Sequence, residues 1–256
     1  MQKYKKVAKE FFLNLIFVFI KLQKPLLMRV LLLMLLIVSS NCWGQNWKEL
    51  SPKLGETIDL SSEGEKKFLQ ELKSEEFVDG KENYWDIIGV ECSFYCACGL
   101  GELSASSELK PQHGPSYRAE NAHDLSYRTA WIEGVPGYGV GEYLVYRFPP
   151  ENPRITSVIV INGYIKSDKA WRENSRVKKL KMYVNGQPYA ILNLKDSKQE
   201  QIFNVEPIGH SNRTDHKKLS KMSDIVLKFE IAEVYPGEKY DDTAISEIYF
   251  DGIDHH

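Results

Sequence analysis

The feature that most constrains this chain is a hydrophobic period of two residues, which begins near residue 84. Six segments beyond that point alternate apolar and polar side chains or run almost wholly apolar, and turn-forming residues separate them. This pattern is typical of β-strands, whose successive side chains point to opposite faces of a sheet. The predicted strands are Gly141–Phe148, Ile155–Ile161, Arg176–Val184, Pro188–Leu194, Asp224–Val234 and Ala244–Phe250.

The connections between these segments support the same fold class. Asn185 and Gly186 separate two predicted strands, and Asn-Gly is a strong signal for a type I′ hairpin turn. Useful helical periodicity and internal repeats do not occur after residue 84. Many short strands in a single run predict an all-β fold, a jelly-roll β-sandwich over residues 84–256.

A helical lead-in is predicted before the strands, within residues 45–83. Ser62 and Glu65 have the spacing of a capping box, and an apolar stripe follows at Phe68, Leu69, Leu72 and Phe77. One amphipathic helix is therefore expected over about Glu63–Glu76. Its apolar surface is too small to be stable alone, so we expect it to pack on the strands.

Residues 1–44 have the character of a targeting segment. Their apolar runs, Phe11–Ile20 and Leu31–Val38, are both shorter than the roughly 20 residues that span a bilayer. Met28 and Arg29, the second apolar run, and Cys42-Trp43-Gly44 before Gln45 fit a signal peptide with a small-x-small cleavage site. Lipidation of Cys42 and an uncleaved membrane anchor are the alternatives. Each predicts a secreted, periplasmic or cell-surface protein.

Export would place Cys92, Cys96 and Cys98 in an oxidising compartment. Three thiols allow at most one internal disulfide, from Cys92 to Cys96 or to Cys98, because a Cys96–Cys98 bridge would be strained. A zinc site would need a fourth ligand, and His113 belongs to another predicted loop. A small loop closed by one disulfide is the prediction.

Charge argues against a nucleic-acid partner. The formal net charge is −2, and positive and negative residues are interspersed along the chain. Such a surface does not attract polyanions over long range.

Three blocks of sequence carry a resemblance to a known family. They are residues 119–142, residues 161–166 with 171–176, and residues 235–248. Together they resemble the discoidin-like, F5/8 type C module of the galactose-binding superfamily, as in the translocation or glycan-binding domain of streptococcal NAD glycohydrolase. The resemblance covers Tyr84 to Gly252. It implies a jelly roll with a non-enzymatic glycan-binding role, since NAD hydrolysis belongs to a separate domain.

The resemblance also implies a structural calcium ion. In such jelly rolls a loop of the form Asn-x-x-Asp-x4-Thr-x-Trp wraps the ion, and calcium takes six to eight oxygen ligands. Leu125 departs from the pattern, because many relatives carry glycine there. The alternative is that the aspartate caps a turn and the glutamate lies on an exposed strand face. The matching residues are Asn121, Asp124, Thr129 and Trp131, with Glu247 closing the shell.

A sugar site requires an aromatic face and fixed polar side chains, which loops at one end of a sandwich can supply. Trp171 lies in a polar stretch and is expected to contact the ligand, whereas Trp131 is expected in the core. The alternative for Arg176 is a pairing with Asp242 that holds loops together. The predicted ligand-binding residues are Tyr138, Tyr164, Trp171, Arg172, Asn174, Arg176, Tyr240 and Asp241.

Catalysis is not expected. The chain has no Gly-x-Ser-x-Gly and no His-Glu-x-x-His motif, and its carboxylates lie in no recognisable hydrolase motif. The sequence therefore predicts an exported binding module with a glycan as partner. A protein-interaction or adhesion module is the alternative, and a carbohydrate-active enzyme is less favoured. Membrane contact is expected only through the N-terminal segment.

Overall fold

Eleven strands dominate the described part of the chain, which comprises residues 47–58, 60–73, 84–88, 94–111, 114 and 116–254 of a computed structural model. The strands are β1 (Lys48–Leu50), β2 (Lys53–Thr57), β3 (Glu102–Ala105), β4 (Trp131–Ile132), β5 (Tyr143–Phe148), β6 (Arg154–Asn162), β7 (Ser175–Val184), β8 (Gln187–Asn193), β9 (Gln199–Ile208), β10 (Ile225–Tyr235) and β11 (Thr243–Ile253).

Helices are few and short in comparison. Two 3₁₀ turns cover Phe94–Cys96 and Ala119–Ala122. Within the described ranges, every helix is too short or too polar to cross a bilayer. The predicted all-β class is confirmed. The α-helices are α1 (Ser62–Lys73), α2 (Asp168–Glu173) and α3 (His216–Leu219).

The strands form two layers around the largest of the apolar clusters. One layer has the order β2-β9-β6-β11 with β4 on β11, and the other has the order β8-β7-β10-β5-β3 with β1 on β8. A short parallel pairing between Thr243–Ala244 and Ser175–Arg176 joins β11 to β7, which makes the hydrogen-bonded network continuous. This is the predicted β-sandwich of the jelly-roll type.

Aromatic side chains from both layers meet in the core. Phe250 of β11 contacts Tyr146 and Phe148 of β5 edge to face, with ring centroids 5.3 and 5.1 Å apart. Trp131 is fully buried, and its indole Nε1 donates to the Ser107 carbonyl at 2.9 Å. Burying each large side chain contributes about 1.5–3 kcal/mol. Trp131 is thus a core residue, as predicted.

All six predicted strands are present, but β3 and β9 were not predicted. In β9 the alternation is broken because Gln201 is buried on the inward side. Its amide is satisfied by the Lys195 backbone, with contacts of 2.7 Å from the N–H and 2.9 Å to the carbonyl. The hairpin prediction agrees with the backbone, since Asn185 and Gly186 both have positive φ (50° and 77°).

The lead-in adds strands as well as the predicted helix. β1 pairs in parallel with β8, and β2 pairs antiparallel with β9, so this segment extends both layers of the sandwich. Both strands were missed because β1 has three residues and β2 is mostly polar and exposed.

Helix α1 begins where its cap is satisfied. The side chain of Ser61, and not that of Ser62, accepts from the Gly64 N–H at 3.0 Å. Phe68 is buried and lies 5.8 Å from the Tyr84 ring, which attaches the helix to the rest of the fold. The predicted continuation to Glu76 lies outside the described residues.

Two further predictions concern, at least in part, residues outside the described ranges. The signal peptide in residues 1–44 and the disulfide partner Cys92 are not among the described residues. Cys96 is exposed and Cys98 is buried. Burial raises the pKa of the Cys98 thiol to about 12, and the Asn152 amide donates to its sulfur at 3.3 Å.

Candidate functional site

The loop that the resemblance assigns to calcium does bring its acidic residues together. Thr129 Oγ1 donates to Asp124 Oδ2 at 2.6 Å. The Ser126 N–H donates to Asp124 Oδ1 at 3.2 Å and to Glu247 Oε1 at 3.3 Å. Asp124 and Glu247, which are 123 positions apart in the sequence, therefore share one backbone donor.

Glu247 is fully buried on β11 and does not lie on an exposed strand face. Its Oε2 atom has no hydrogen-bond partner. Burial raises the pKa of this carboxyl well above its ordinary value, and the charge of the nearby Asp124 raises it further. A buried carboxylate beside a second acid is unfavourable unless a proton or a cation compensates it.

The donor set is one that a hard cation prefers. It contains carboxylate and hydroxyl oxygens, which suit calcium. Across the described ranges, His, Cys, Asp and Glu form no group of three or more that could hold a metal. Further oxygen ligands would therefore have to be backbone carbonyls or waters. With the orphaned Oε2 of Glu247, the residues present fit a calcium ion.

Asn121 and Leu125 shape this loop. Asn121 Nδ2 donates to the carbonyls of Ser116 (2.7 Å) and Ala130 (3.1 Å), which closes the base of the loop. Leu125 has φ of 57°, so it makes a left-handed turn at the position where the resemblance implies glycine. Such a conformation costs roughly 1–2 kcal/mol for a residue with a side chain. The Ile87 N–H donates to the Leu125 carbonyl at 3.0 Å and supports the turn.

A separate cleft of about 320 Å³ opens beside α2, and we call it the α2 cleft. Its walls come from the segments before β4, from the turn after β6, from α2 itself and from the loop before β11. Its lining residues are Leu109, Tyr117, Ile132, Tyr164, Lys166, Ser167, Lys169, Ala170, Glu173, Asn174, Tyr240 and Asp242.

Aromatic rings form much of the apolar part of the α2 cleft. Tyr164 is buried, and its ring packs edge to face with that of Tyr117 at a centroid distance of 6.1 Å. The Lys166 ammonium lies 4.5 Å from the Tyr164 ring centroid, a cation–π contact. Tyr240 is 40% exposed, and the Lys239 ammonium lies 4.7 Å from its ring centroid, so part of this ring remains available to a ligand.

Charged groups of both signs surround these rings. Lys169 and Glu173 of α2 are 4.0 Å apart. Burial raises the pKa of the Asp242 carboxyl, and the neighbouring Asp241 raises it further. The α2 cleft therefore offers hydrogen-bond donors and acceptors beside aromatic faces.

The position of α2 depends on a glycine and a cap. Gly163 follows β6 with φ of 79°, and an added Cβ would lie 2.6 Å from Arg176 Cγ. Ser167 then accepts from the Ala170 N–H at 3.1 Å and starts the helix. Six residues give too short a periodic pattern to predict, which is why α2 was missed.

A second group of residues, the Arg176 cluster, lies on another side of α2. Arg176 is 7% exposed and donates to both carboxylate oxygens of Asp196 at 3.0 and 2.9 Å. Its third nitrogen donates to the carbonyls of Asn174 and Pro236, both at 3.1 Å. The guanidinium lies 4.7 Å from the Trp171 ring centroid. Arg176 does hold loops together, but its partner is Asp196 and not Asp242.

The predicted ligand residues divide between these two places. Tyr164, Asn174 and Tyr240 line the α2 cleft. Trp171 and Arg176 belong to the Arg176 cluster. The indole Nε1 of Trp171 donates to the Asn162 carbonyl at 3.2 Å, so this half-buried ring is a structural contact between loops.

The remaining predicted ligand residues lie on the surface. The Arg172 side chain is 4.0 Å from Glu238, and Asp241 is exposed beside Asp242. Tyr138 is 39% exposed in the loop of residues 134–141. Its carbonyl accepts from Thr243 Oγ1 at 2.8 Å, which places its backbone next to the strand that follows Asp242.

Sequence reasoning missed several residues of the α2 cleft. Lys166 lies inside one of the quoted sequence blocks, and Lys169 and Glu173 have the i, i+4 spacing of one helix face, so a search for a short helix could have found them. Leu109 and Tyr117 lie in a stretch without strand or helix periodicity, and no signal marked them.

The described residues thus form a two-layer β-sandwich with a polar and aromatic cleft among its loops. The sequence pattern of one family, the NAD glycohydrolase translocation F5/8 type C domain, matches residues 94–251. The match covers more than half of the chain, and the protein belongs to this family. The resemblance stated from the sequence blocks is confirmed, while the lead-in lies outside the matched residues.

Several solved structures are similar in fold, at low sequence identity. The CBM32-1 and CBM32-2 domains of Clostridium perfringens ZmpB give a TM-score of 0.44 at 10% identity, over 82% of this chain and 42% of theirs. CpGH89CBM32-5 from the same organism, in complex with GalNAc-β-1,3-galactose, gives 0.40 at 15% identity over 59% of this chain and 94% of its own. The mycobacterial arabinofuranosyltransferase AftD gives 0.42 at 14% identity, over 68% of this chain and 12% of its own.

This chain thus spans less than half the length of the ZmpB fragment. No curated protein matches the sequence.

Proposed function

We propose that this protein is an exported, non-catalytic binding module that holds a glycan in the α2 cleft. The observation that carries the proposal is the cleft itself, where the exposed ring of Tyr240 lies among carboxylate, amide and ammonium groups. Its volume of about 320 Å³ is at the lower end of the range of roughly 300–1,000 Å³ for ligand pockets. Family membership supports a binding or translocation role.

The chemistry of the α2 cleft suits sugar rings. Tyrosine faces can pack against the apolar face of a pyranose, because aromatic side chains combine an apolar body with a polar tip. Glu173, Asn174 and Asp242 supply acceptors for hydroxyl groups, and Lys166 and Lys169 supply donors. Binding of this kind leaves the glycan unchanged.

A glycan array tests this proposal. The purified protein is applied to immobilised mono- and oligosaccharides, and the supernatant of each positive glycan is analysed by mass spectrometry. We expect at least one saccharide to be retained and to keep its mass. Cleavage of the bound glycan would contradict the non-catalytic part. A blank array with a folded protein would favour the alternative, a protein-interaction module.

We also propose a structural calcium ion at Asp124 and Glu247. When bound, the ion neutralises the two carboxylates and fixes the loop that Thr129 and Asn121 hold in place. A ligand at 100 times its dissociation constant stabilises a protein by about 2.7 kcal/mol. We therefore expect calcium chloride to raise the melting temperature and EDTA to lower it.

Glu247→Gln provides the control for calcium. The amide keeps the shape of the side chain but removes the buried charge, so the melting temperature of this variant should not respond to calcium. Magnesium, which demands a smaller octahedral site, should act more weakly than calcium on the wild type. Equal responses of the wild type and Glu247→Gln would refute the ion site.

Export is the third part of the proposal, and it rests on the signal-peptide pattern of residues 28–44. N-terminal sequencing of the protein recovered from its native host checks it. A mature chain that begins at Gln45 supports cleavage after Gly44. A lipidated Cys42 would show a surface-anchored protein, and an intact N-terminus would contradict cleavage.

A further inference from the structure

A second, smaller cavity adjoins the α2 cleft. It measures about 190 Å³, and it is lined by Ile58, Leu60 and Ser61 of the lead-in together with Ile165, Ser167, Asp168 and Lys198. Ser167 also lines the α2 cleft. The two cavities therefore meet at the turn that connects β6 to α2.

The turn distributes consecutive side chains between the two cavities. Tyr164 lines the α2 cleft, and the next residue, Ile165, lines the smaller cavity. Ser167, which lines both cavities, is therefore the residue that a ligand lying on Tyr164 would pass to reach the smaller cavity.

The smaller cavity combines aliphatic and charged side chains, whereas the α2 cleft has tyrosine rings in its lining. Its apolar part is Ile58 and Ile165, which are buried, with the half-buried Leu60. Its polar part includes the ion pair of Lys198 with Asp168. The Lys198 side chain is 31% exposed and that of Asp168 is 73% exposed, so both charged groups remain accessible to the hydroxyl groups of a ligand.

The two cavities differ in volume, and this difference suits them to different parts of a ligand. At about 190 Å³ the smaller one is below the range of roughly 300–1,000 Å³ that encloses a drug-sized ligand. It is therefore suited to one further unit of a ligand whose main part lies elsewhere. The adjoining α2 cleft provides the place for that main part.

We propose that the smaller cavity is a subsite for an additional sugar unit, so that the protein recognises an oligosaccharide rather than a single sugar. This inference rests on the proposed glycan binding in the α2 cleft. Three of the seven lining residues belong to the lead-in, which lies outside the family match to residues 94–251. Preference for longer glycans is thus a property that the lead-in adds to this family's sandwich.

Calorimetric titration with mono-, di-, tri- and tetrasaccharides tests the subsite. The probes are the galactose, N-acetylgalactosamine and β-1,4-linked N-acetylglucosamine series, with the full chain as the binding protein. We expect the dissociation constant to fall about ten-fold between the monosaccharide and the trisaccharide, equivalent to about 1.4 kcal/mol. One charge-assisted hydrogen bond at Lys198 is sufficient for a gain of that size.

Lys198→Ala removes this donor, and Lys195→Ala is its matched control. Lys195 is an exposed lysine in the same turn, and it is absent from the linings of both cavities. We expect Lys198→Ala to abolish the gain with chain length while leaving the monosaccharide affinity unchanged. Lys195→Ala should retain the wild-type gain.

Failures of the two proposals are distinguishable. Monosaccharide binding without any dependence on chain length overturns the subsite but leaves the glycan-binding proposal intact. Equal losses in Lys198→Ala and Lys195→Ala, or an unchanged gain in Lys198→Ala, also overturn the subsite. If no saccharide in the three series or on the array binds, both proposals fail.

Discussion

Two groups of polar and aromatic residues meet at α2, and they differ in how their polar atoms are satisfied. In the Arg176 cluster, the guanidinium has a carboxylate partner, two carbonyl partners and the Trp171 ring. In the α2 cleft, Lys166 lies over a tyrosine ring, and Tyr240 is 40% exposed. Both groups contain aromatic rings, cations and carboxylates, so their composition is nearly the same.

The difference shows that residue composition does not separate a fully paired structural cluster from an open cleft. A buried cation must be fully paired, because an unpaired buried charge is strongly unfavourable. The Arg176 cluster meets that requirement and joins loops that are distant in sequence. The α2 cleft leaves its groups open to solvent, where a ligand can replace water. Stability is therefore expected to depend on the first group and binding on the second.

Arg176→Ala gives the largest expected effect. The change leaves Asp196 without its bidentate partner, removes the donor to two carbonyls and exposes one face of Trp171. Breaking a buried ion pair costs about 3–5 kcal/mol, and we expect a loss near the lower value because Asp196 is partly exposed. Urea unfolding followed by tryptophan fluorescence measures the loss.

Arg172→Ala is the control for that variant. Arg172 lies four residues earlier, is exposed and approaches Glu238 only at 4.0 Å. Its removal should change the free energy of unfolding by less than about 0.5 kcal/mol. Similar losses in the free energy of unfolding for the two arginine variants would contradict the claim that the paired Arg176 stabilises the fold more than an exposed arginine does.

Gly163→Ala is expected to have the next largest effect. The new Cβ would lie 2.6 Å from Arg176 Cγ and 2.9 Å from Trp171 Cδ1, on a backbone with φ of 79°. Left-handed strain costs about 1 kcal/mol, and overpacking adds about 1–2 kcal/mol. Gly186→Ala separates the two causes, because Gly186 has φ of 77° and open space around it. In urea unfolding, Gly186→Ala should lose only about 1 kcal/mol.

Tyr240→Ala should weaken binding without weakening the fold. The residue is 40% exposed, its ring contacts the Lys239 ammonium, and its backbone hydrogen bond to the Glu173 carbonyl survives in alanine. We expect the affinity for the array glycan to fall about ten-fold, or about 1.4 kcal/mol, since one aromatic contact is lost. Calorimetry measures the affinity, and thermal unfolding confirms that stability is retained.

Tyr143→Ala is the matched control, because Tyr143 lies on β5 and is absent from the lining of the α2 cleft. Its affinity should equal that of the wild type. Tyr138→Ala tests the remaining predicted aromatic residue in the same assay. A loss there would extend the site to the loop of residues 134–141.

The smallest expected effect is a dependence of binding on pH. Asp242 has its pKa raised by burial and by Asp241, so its carboxylate gains a proton at a higher pH than the ordinary value of about 3.9. If the carboxylate accepts from a sugar hydroxyl, affinity falls as pH is lowered from about 7 towards 4. Asp242→Asn should bind several-fold more weakly at neutral pH and lose this dependence. A pH profile shared by both proteins would exclude Asp242 from the site.

The strands of the sandwich could be predicted because their side chains alternate locally. β9 was not predicted because the polar residue Gln201 lies in the interior, where its amide makes hydrogen bonds to the Lys195 backbone. β1 was not predicted because three residues are too few to show an alternation of apolar and polar side chains. Glu247 was found through the family resemblance, whose spacing matched the loop that contains Asp124.

The division of the predicted ligand residues could not be predicted. Trp171 and Asn174 are three positions apart, yet one packs against Arg176 and the other lines the α2 cleft. Whether the Arg176 guanidinium is available to a ligand depends on its pairing with Asp196, which lies 20 positions later in a turn. Such pairings arise from the tertiary fold, and local sequence carries no signal for them.

Hydrogen–deuterium exchange with and without the strongest array glycan tests the central claim most directly. The α2 cleft as the binding site predicts slower amide exchange in residues 164–174 and 240–243 when the glycan is bound. Exchange in β10, which contributes no residue to the lining of this cleft, should stay unchanged. Bound glycan with protection confined to other segments would contradict the assignment of the site.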